Sequence, residues 1–203
     1  MRLITFSHSD RQGIGTLNRK SGVITDFSVA DPTLPATMTE LICLGSAGLA
    51  QASAVVQSAL PEAHIPLSDV KILAPIPTPQ CNIMCVGRNY HEHAKESHDS
   101  GFDSTACKMA VPDDPIIFTK APSSVIGPGA AIPSYLGPTE SVNYEGELAV
   151  VISGEGRGIT KEDAFNYVYG YTVINDVTAR TLQHKQWFIG KSFDGFCPMG
   201  RSS

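Results

Sequence analysis

The sequence lacks a long apolar run, a basic run and any closely paired cysteines, and each absence excludes a class of protein. No stretch approaches the roughly 20 apolar residues of a transmembrane helix. Residues 1–6 turn polar too quickly for a secretory signal. With 15 basic and 20 acidic residues the net charge is −5, so we expect neither nucleic-acid nor membrane partners. A cytoplasmic protein is the resulting prediction.

The cysteines do not form the pattern of a zinc site or a disulfide framework. There are five of them, and the nearest two, Cys81 and Cys85, have three residues between them. No further ligands at zinc-site spacing accompany this pair. Reduced, mostly buried thiols agree with a reducing compartment. Cys107 lies in a polar stretch and is expected to be exposed.

The composition indicates a globular chain with a small leading unit and a larger second one. Of the 203 residues, 42% are hydrophobic, which suffices for a substantial core. Residues 1–73 combine short strand patterns with helical patterns and predict a small α/β domain. Thr37 and Glu40 have the spacing of a capping box, so we expect a helix after Thr37. The proline-rich residues 74–80 form a connector, and the second domain covers residues 74–203.

Patterning in the second domain predicts strands and helices around a polar loop. We predict a buried strand over 82–86 and further strands over 115–120 and 168–177. We predict helices over 89–95, 160–165 and 178–187. The polar residues 97–114 are typical of a mobile loop or lid.

Two glutamates stand in a segment that otherwise has the pattern of a buried strand. Because side chains alternate across a strand, Glu145 and Glu147 share a face with Ala149 and Val151. The opposite face is apolar too, so we expect the strand to be covered on both sides. Two carboxylates there would repel each other and be costly to desolvate, and a divalent cation removes both problems.

Asp176 ends a second apolar segment and is the natural third ligand for such a cation. Oxygen ligands of this kind suit Mg²⁺, Mn²⁺ or Ca²⁺ better than zinc. The alternative is that the glutamate pair lies on a strand edge that faces water. The three acids alone leave both interpretations open.

His93 and Glu96 are three residues apart on a predicted helix, so their side chains can touch. A carboxylate beside an imidazole raises its basicity and fixes its tautomer, which predicts a dyad that activates water. The alternative is a solvated helix surface with scattered histidines and acids.

Several motifs occur in the order seen in one enzyme family. They are Gly-Arg-Asn-Tyr at 87–90 followed by His93 and Glu96, Phe-x-Lys-x-x-Ser at 118–123, Tyr-Glu-x-Glu-Leu at 144–148, Asn-Asp-Val-Thr-Ala-Arg at 175–180, Lys-Ser-Phe-Asp at 191–194 and Cys-Pro at 197–198. Over about residues 74–199 this pattern resembles the fumarylacetoacetate hydrolase family. The leading unit also looks like the small first domain of the longer members.

The resemblance implies an α+β fold in which a mixed β-roll catalytic domain follows a small α/β N-terminal domain. It also implies Mg²⁺ or Mn²⁺ on Glu145, Glu147 and Asp176, with Ca²⁺ as a substitute in crystals. A homodimer is the implied assembly.

The resemblance further implies roles for individual residues. His93 and Glu96 would form the water-activating dyad, and Lys191 would act beside the substrate and the metal-binding carboxylates. The residues expected to bind the substrate or support the metal shell are Arg88, Tyr90, Lys120, Ser123, Arg180 and Gln183.

The implied activity is metal-dependent hydrolysis of a C–C bond in a 2-oxo or 1,3-diketo acid, such as an acylpyruvate or fumarylacetoacetate. The cation would act as a Lewis acid toward the enolate, while the dyad activates water and Lys191 offers positive charge. The first alternative is an isomerase or decarboxylase of a hydroxydienedioate from aromatic catabolism, because one metal site serves several reactions. The second alternative is an inactive fragment.

The sequence departs from the family pattern after Cys197 and Pro198. Family members continue with further strands and a substrate loop, whereas this sequence reads Met-Gly-Arg-Ser-Ser to residue 203. We therefore expect an incomplete β-roll with exposed strand edges, weak metal binding and slow or absent turnover.

Overall fold

The structure is a computed structural model, and it describes residues 1–90, 114–134, 141–183 and 186–200. The strands are β1 (Leu3–His8), β2 (Arg11–Asn18), β3 (Val23–Asp26), β4 (His64–Pro66), β5 (Lys71–Ile72), β6 (Ile83–Gly87), β7 (Ile116–Lys120), β8 (Val125–Ile126), β9 (Val142–Asn143), β10 (Gly146–Ile152), β11 (Val168–Asn175), β12 (Thr178–Ala179) and β13 (Cys197–Pro198). The helices are α1 (Phe27–Ala30), α2 (Met38–Cys43), α3 (Gly45–Ser58), α4 (Arg180–Gln183) and α5 (Trp187–Lys191).

Many strands with few, short helices make up the mixed α+β fold that the sequence predicted. In the described ranges, no helix has the length and apolar character needed to cross a membrane. The loop predicted over 97–114 lies outside the described residues apart from its last residue, and so do Cys107 and most of the helix predicted over 89–95.

The first part of the chain forms one antiparallel sheet with the order β4-β3-β2-β1-β5. On one face, Ile4, Phe6 and Ile24 form a buried cluster with Leu17. The helices cover the other face, where Phe27 anchors a second cluster. The central strands β1, β2 and β3 thus have buried residues on both faces of the sheet.

The helix predicted after Thr37 is confirmed as α2. Its first turn is closed by a reciprocal pair of hydrogen bonds between Thr37 and Glu40. The amide of Glu40 donates to Oγ1 of Thr37 at 3.3 Å, and the amide of Thr37 donates to Oε2 of Glu40 at 3.1 Å. This capping box satisfies two amides that have no partner within the helix.

Strands β10 and β11 pair antiparallel, and only one face of the pair is covered. Ala149 and Val151 point inward and pack on the clusters beneath them. On the opposite face the exposed fractions are 59% for Leu148, 49% for Val150 and 55% for Ile152. The expectation that the strand is covered on both sides is therefore wrong for this structure.

We call this opposite surface the outer face. The register sets Leu148 beside Val173 and Val150 beside Tyr171, so the two strands expose one continuous apolar surface. The outer face is defined by Leu148, Val150, Ile152, Tyr171 and Val173.

Three further local predictions are wrong. The helix predicted over 178–187 is interrupted, because Thr178 pairs with Asn143 in an extended β12–β9 ladder before α4 begins. The helix predicted over 160–165 is a turn followed by a 3₁₀ helix over Ala164–Tyr167. The predicted strand near 82–86 does form, but it is not buried, since Met84 is 66% exposed.

Strands β6 and β7 pair antiparallel and hold helix α5 in place. The Phe118 ring of β7 meets Trp187 edge to face, with ring centroids 5.1 Å apart. Gly87 at the end of β6 lies so close that a Cβ there would be 2.2 Å from Cζ3 of Trp187. The first residue of α5 is thus packed against both strands.

Contacts cross the predicted domain boundary at residue 73. The hydroxyl of Thr5 donates to the carbonyl of Pro75 at 2.7 Å. Val151 and Tyr169 of the second part pack against the helical cluster of the first. The division into two domains remains a prediction.

Candidate active site

The ammonium group of Lys191 is the centre of a buried polar cluster. Its Nζ donates to Oε2 of Glu145 at 2.8 Å, to Oδ2 of Asp176 at 2.7 Å and to Oγ1 of Thr178 at 2.7 Å. The Lys191 side chain is only 3% exposed. All three ammonium protons have an acceptor, so the charge is fully paired despite its burial.

The β10–β11 pair explains why the two acids meet. Gly146 is the register partner of Asn175, so Glu145 and Asp176 lie at the same end of the sheet. The amide of Asp176 donates to the carbonyl of Glu145 at 2.8 Å, and the amide of Glu145 donates to Oδ1 of Asn175 at 3.0 Å. The sequence pattern predicted this approach of the two acids.

Arg180 adds a second cation to Glu145. Its Nη2 donates to Oε1 of Glu145, and its Nη1 donates to Oε1 of Gln183 at 2.9 Å. Arg180 and Gln183 are the first and last residues of the short helix α4, which follows directly after β12. The Arg180 side chain is 23% exposed, so part of the guanidinium remains accessible.

Lys120 lies behind this cluster, at the end of β7. Its side chain is 0% exposed, and its Nζ donates to Oδ1 of Asp176 at 2.6 Å, to the carbonyl of Val177 at 3.2 Å and to the carbonyl of Lys191. Burial lowers the pKa of Lys120, and the nearby Asp176 acts in the opposite direction. This interior position does not suit direct contact with a substrate, which is one of the two roles that the resemblance implied.

An open cleft of about 1400 Å³ borders the cluster. Its walls include most of the residues that the sequence singled out, namely Arg88, Tyr90, Glu145, Glu147, Asp176, Arg180, Gln183 and Lys191. Arg88 has a left-handed backbone with φ 52°, a conformation that costs energy for a residue with a side chain. Such local strain is often found at functional sites.

The carboxylates suit a hard divalent cation in their chemistry, and the structure gathers two of the three. Glu145 and Asp176 share one ammonium group, so their oxygens are near neighbours. Glu147 lines the same cleft. Among the described residues, however, no three His, Cys, Asp or Glu side chains form a group that could hold a metal ion. The predicted convergence of three acids is thus seen for Glu145 and Asp176 only.

Of the other predicted residues, Ser123 lies outside the cluster, and two fall outside the described ranges. His93 and Glu96 are outside the described residues, so the dyad stays a prediction. Ser123 is exposed on a 3₁₀ turn over Pro122–Ser124 and does not line the cleft.

Sequence reasoning missed two residues that shape the cluster. Thr178 accepts a hydrogen bond from Lys191 and donates to the carbonyl of Asp176 at 3.0 Å. The Phe118 ring centroid lies 5.0 Å from Nζ of Lys191, a cation–π distance. Thr178 belongs to the Asn-Asp-Val-Thr motif, and its position two residues after Asp176 was the available signal.

The mixed sheets and the acidic, lysine-centred site agree with one family. The chain belongs to the fumarylacetoacetate hydrolase family, since residues 82–202 match the family described as fumarylacetoacetate (FAA) hydrolase, C-terminal. The predicted family membership is therefore confirmed.

Several curated relatives of this chain are named oxaloacetate tautomerases. The chain is 44% identical over 176 residues to oxaloacetate tautomerase YisK of Bacillus subtilis, a match that covers 83% of this chain and 56% of that protein. Mitochondrial oxaloacetate tautomerases of vertebrates are 38–40% identical over 98% of this chain.

Solved structures confirm the fold. A fumarylacetoacetate hydrolase from Exiguobacterium antarcticum is 36% identical to this chain, with a TM-score of 0.72. The superposition covers 99% of this chain and 65% of that protein's chain. Maleylpyruvate hydrolase from Sphingobium sp. SYK-6, solved with manganese(II) and pyruvate, shares the fold at 24% identity with a TM-score of 0.70, covering 99% of this chain and 66% of its own. Among the curated relatives, the part matched by this chain is 56% of the length of the Bacillus subtilis protein and 60–61% of two of the vertebrate proteins.

Proposed function

We propose that the cleft binds a 2-oxo dicarboxylic acid, and that the chain interconverts the keto and enol forms of such an acid, as an oxaloacetate tautomerase does. One observation carries the proposal: Lys191 contacts both Glu145 and Asp176 at the wall of the cleft. The names of the relatives that are 38–44% identical support the same reaction. The proposed reaction is an isomerisation, as in the first alternative from the sequence, but its substrate is a 2-oxo dicarboxylic acid and not the hydroxydienedioate named there.

The charges of the site support a dianionic substrate. Lys120, Arg180 and Lys191 supply three positive charges to the cluster. Glu145 and Asp176 with Glu147 at the cleft supply three negative charges. Arg88 in the cleft wall adds a fourth positive charge, so the site with a divalent cation would carry a positive excess, which suits the two carboxylates of an oxaloacetate-like acid.

We further propose that Mg²⁺ or Mn²⁺ binds the carboxylates of Glu145, Glu147 and Asp176, because acidic oxygens are the ligands these ions prefer. When bound, the cation would supply Lewis-acid chemistry toward the 2-oxo group.

The protein's own side chains would orient the substrate and stabilise its charge. Tautomerisation removes a proton from the carbon beside the 2-oxo group and delivers a proton to the oxygen. The ammonium group of Lys191 lies at the cleft wall with its three protons paired to Glu145, Asp176 and Thr178, so its charge would stabilise negative charge on that oxygen electrostatically, without a direct hydrogen bond. Arg180, partly exposed and held by Gln183, suits a substrate carboxylate because a guanidinium pairs with two oxygens at once.

Hydrolysis of a C–C bond, the first prediction from the sequence, is the second candidate. The 36% identity to the fumarylacetoacetate hydrolase of Exiguobacterium antarcticum favours it. This reaction would need a base to activate water, the role predicted for His93 and Glu96.

A side-by-side assay separates the candidates. The purified chain with Mg²⁺ or Mn²⁺ receives the enol form of oxaloacetate, and the loss of enol absorbance is compared with the spontaneous rate. Parallel samples contain an acylpyruvate, from which hydrolysis releases two acids. We expect acceleration with oxaloacetate and a loss of about 100-fold in Lys191→Met.

Lys161→Met is the matched control, because Lys161 is exposed on a turn away from the cleft. Its rate should equal that of the unmodified chain. Release of two acids without any acceleration of tautomerisation would favour the hydrolase instead.

A further inference from the structure

Lys120 is a buried cation whose hydrogen-bonding capacity is fully used by the protein. An ammonium group has three donors, and Lys120 directs them to Asp176 and to the carbonyls of Val177 and Lys191. Its side chain is 0% exposed, so nothing in the cleft can reach it. Its function must therefore be exerted through the groups that it holds.

Those groups form a closed ring with Lys191. Lys120 binds Oδ1 of Asp176, while Oδ2 of the same carboxylate accepts from Nζ of Lys191 at 2.7 Å. Lys120 also binds the main-chain carbonyl of Lys191. The contact between Asp176 and Lys191 is thus held at both of its ends by one side chain.

Stability alone is a weak reason for a lysine at this position. A buried ion pair often contributes no more to stability than apolar residues of similar volume. An apolar residue at 120 would, however, leave Oδ1 of Asp176 free to rotate away and would release the end of α5. Fixed geometry is what the lysine supplies and a hydrocarbon does not.

We propose that Lys120 is a positioning residue of the active site. It turns Asp176 so that Oδ2 faces Lys191, and it ties the end of α5, which carries Lys191, to the strand end that carries Asp176. The relevance for turnover rests on the proposed function, whereas the positioning itself is measurable without any activity.

The direct test uses ¹H–¹⁵N spectra of the lysine ammonium groups. Ammonium protons that are buried and fully hydrogen-bonded exchange slowly, so Lys120 and Lys191 should both give signals. The signal that disappears in Lys191→Met assigns Lys191. In Lys120→Met we expect the Lys191 signal to shift by more than its linewidth or to vanish.

Ile24→Ala is the control for general destabilisation. Ile24 is fully buried in the first sheet and far from the cluster in the fold, so its truncation lowers stability without touching the ring. The Lys191 signal should stay unchanged in this variant. If Lys120→Met does not fold, Lys120→Gln takes its place, because its amide retains donors for the buried carbonyls.

A second test measures turnover and manganese binding. Mispositioned groups cost rate, so we expect kcat for oxaloacetate to fall about tenfold or more in Lys120→Met or Lys120→Gln while KM changes little. Titration with Mn²⁺ should show weaker binding, and Lys120→Arg should recover part of both losses. Ile24→Ala should show neither change at a temperature where it is folded.

The outcomes separate the two proposals. An unchanged Lys191 signal in the folded neutral variants would overturn the positioning role, whatever the activity. A shifted signal in a chain that neither tautomerises oxaloacetate nor binds Mn²⁺ would keep the positioning role and overturn the proposed function.

Discussion

Nζ of Lys191 lies 2.7 Å from Oδ2 of Asp176, and the two side chains are only 3% and 4% exposed. Each of these charges would be costly to bury alone, so burial is tolerated only while the two side chains stay in contact. The same contact borders the cleft, so it bears on both stability and chemistry.

Replacing Asp176 by asparagine should destabilise the fold. Asparagine keeps the shape but removes the charge that pairs with Lys120 and Lys191. Removing one partner of a buried pair typically costs about 3–5 kcal/mol, so we expect the free energy of unfolding in urea to fall by about 3 kcal/mol. Asp194→Asn, at an exposed site, should stay within about 0.5 kcal/mol. A loss below about 1 kcal/mol in Asp176→Asn would contradict the buried network.

The cysteines should differ sharply in their reactivity. Burial raises the pKa of Cys85 to about 12 and that of Cys197 to about 11, whereas Cys43 and Cys81 are exposed. Because the thiolate is the reactive form, an aromatic disulfide reagent at mildly alkaline pH should label two of these four thiols in the folded chain. The assay uses a Cys107→Ser background. Rapid labelling of all four without denaturant would refute this expectation.

The same buried thiols should make stability fall at alkaline pH. Their folded-state pKa values lie above the ordinary 9.0, so the unfolded chain loses its protons first as the pH rises. Their contribution is constant below pH 9.0 and is lost on rising through about 11 for Cys197 and about 12 for Cys85.

Cys197→Ala removes one of these contributions. Between pH 9.0 and about 11 its unfolding free energy should fall less steeply than that of the unmodified chain, by up to about 1.4 kcal/mol per pH unit. Cys43→Ala, at an exposed thiol, should keep the original slope. Parallel curves for Cys197→Ala and the unmodified chain would count against the assigned pKa.

The outer face should drive self-association. Apolar side chains from paired strands present a continuous surface to water, and covering it with a second chain is favourable. Sedimentation velocity over a range of concentrations should therefore show association, and Val150→Lys should weaken it. Val56→Lys, at a 37% exposed site on α3, should not. A chain that stays monomeric at every concentration would contradict this prediction. The homodimer stays a prediction, and so does the cytoplasmic location.

Short-range chemistry made part of the fold predictable from the sequence. The capping box of α2 needs only Thr37 and Glu40 at the right spacing, and both bonds are present. The approach of Glu145 and Asp176 follows from two apolar strands, one preceded and the other followed by an acid, because an antiparallel pair sets the start of one strand beside the end of the other. The first feature depends on four successive residues and the second on a single strand pairing.

Features that depend on the distant chain were not predictable in the same way. Thr178 has a helical neighbourhood in sequence, yet its pairing with Asn143 makes it extended. Lys120 follows an ordinary strand pattern, and its burial arises only because Asp176 and the end of α5 meet above it. A continuous apolar pattern on β10 also fails to say which face is covered, because cover is supplied by other segments.

The close fit of Gly87 against Trp187 has a consequence for how sequence changes spread through the molecule. Even a single added methyl group at residue 87 would push the indole aside, and α5 would have to shift with it. Because Lys191 ends that helix, a substitution in β6 would be felt at two carboxylates it never touches. Residue 87 therefore has almost no mutational freedom, although it carries no side chain of its own.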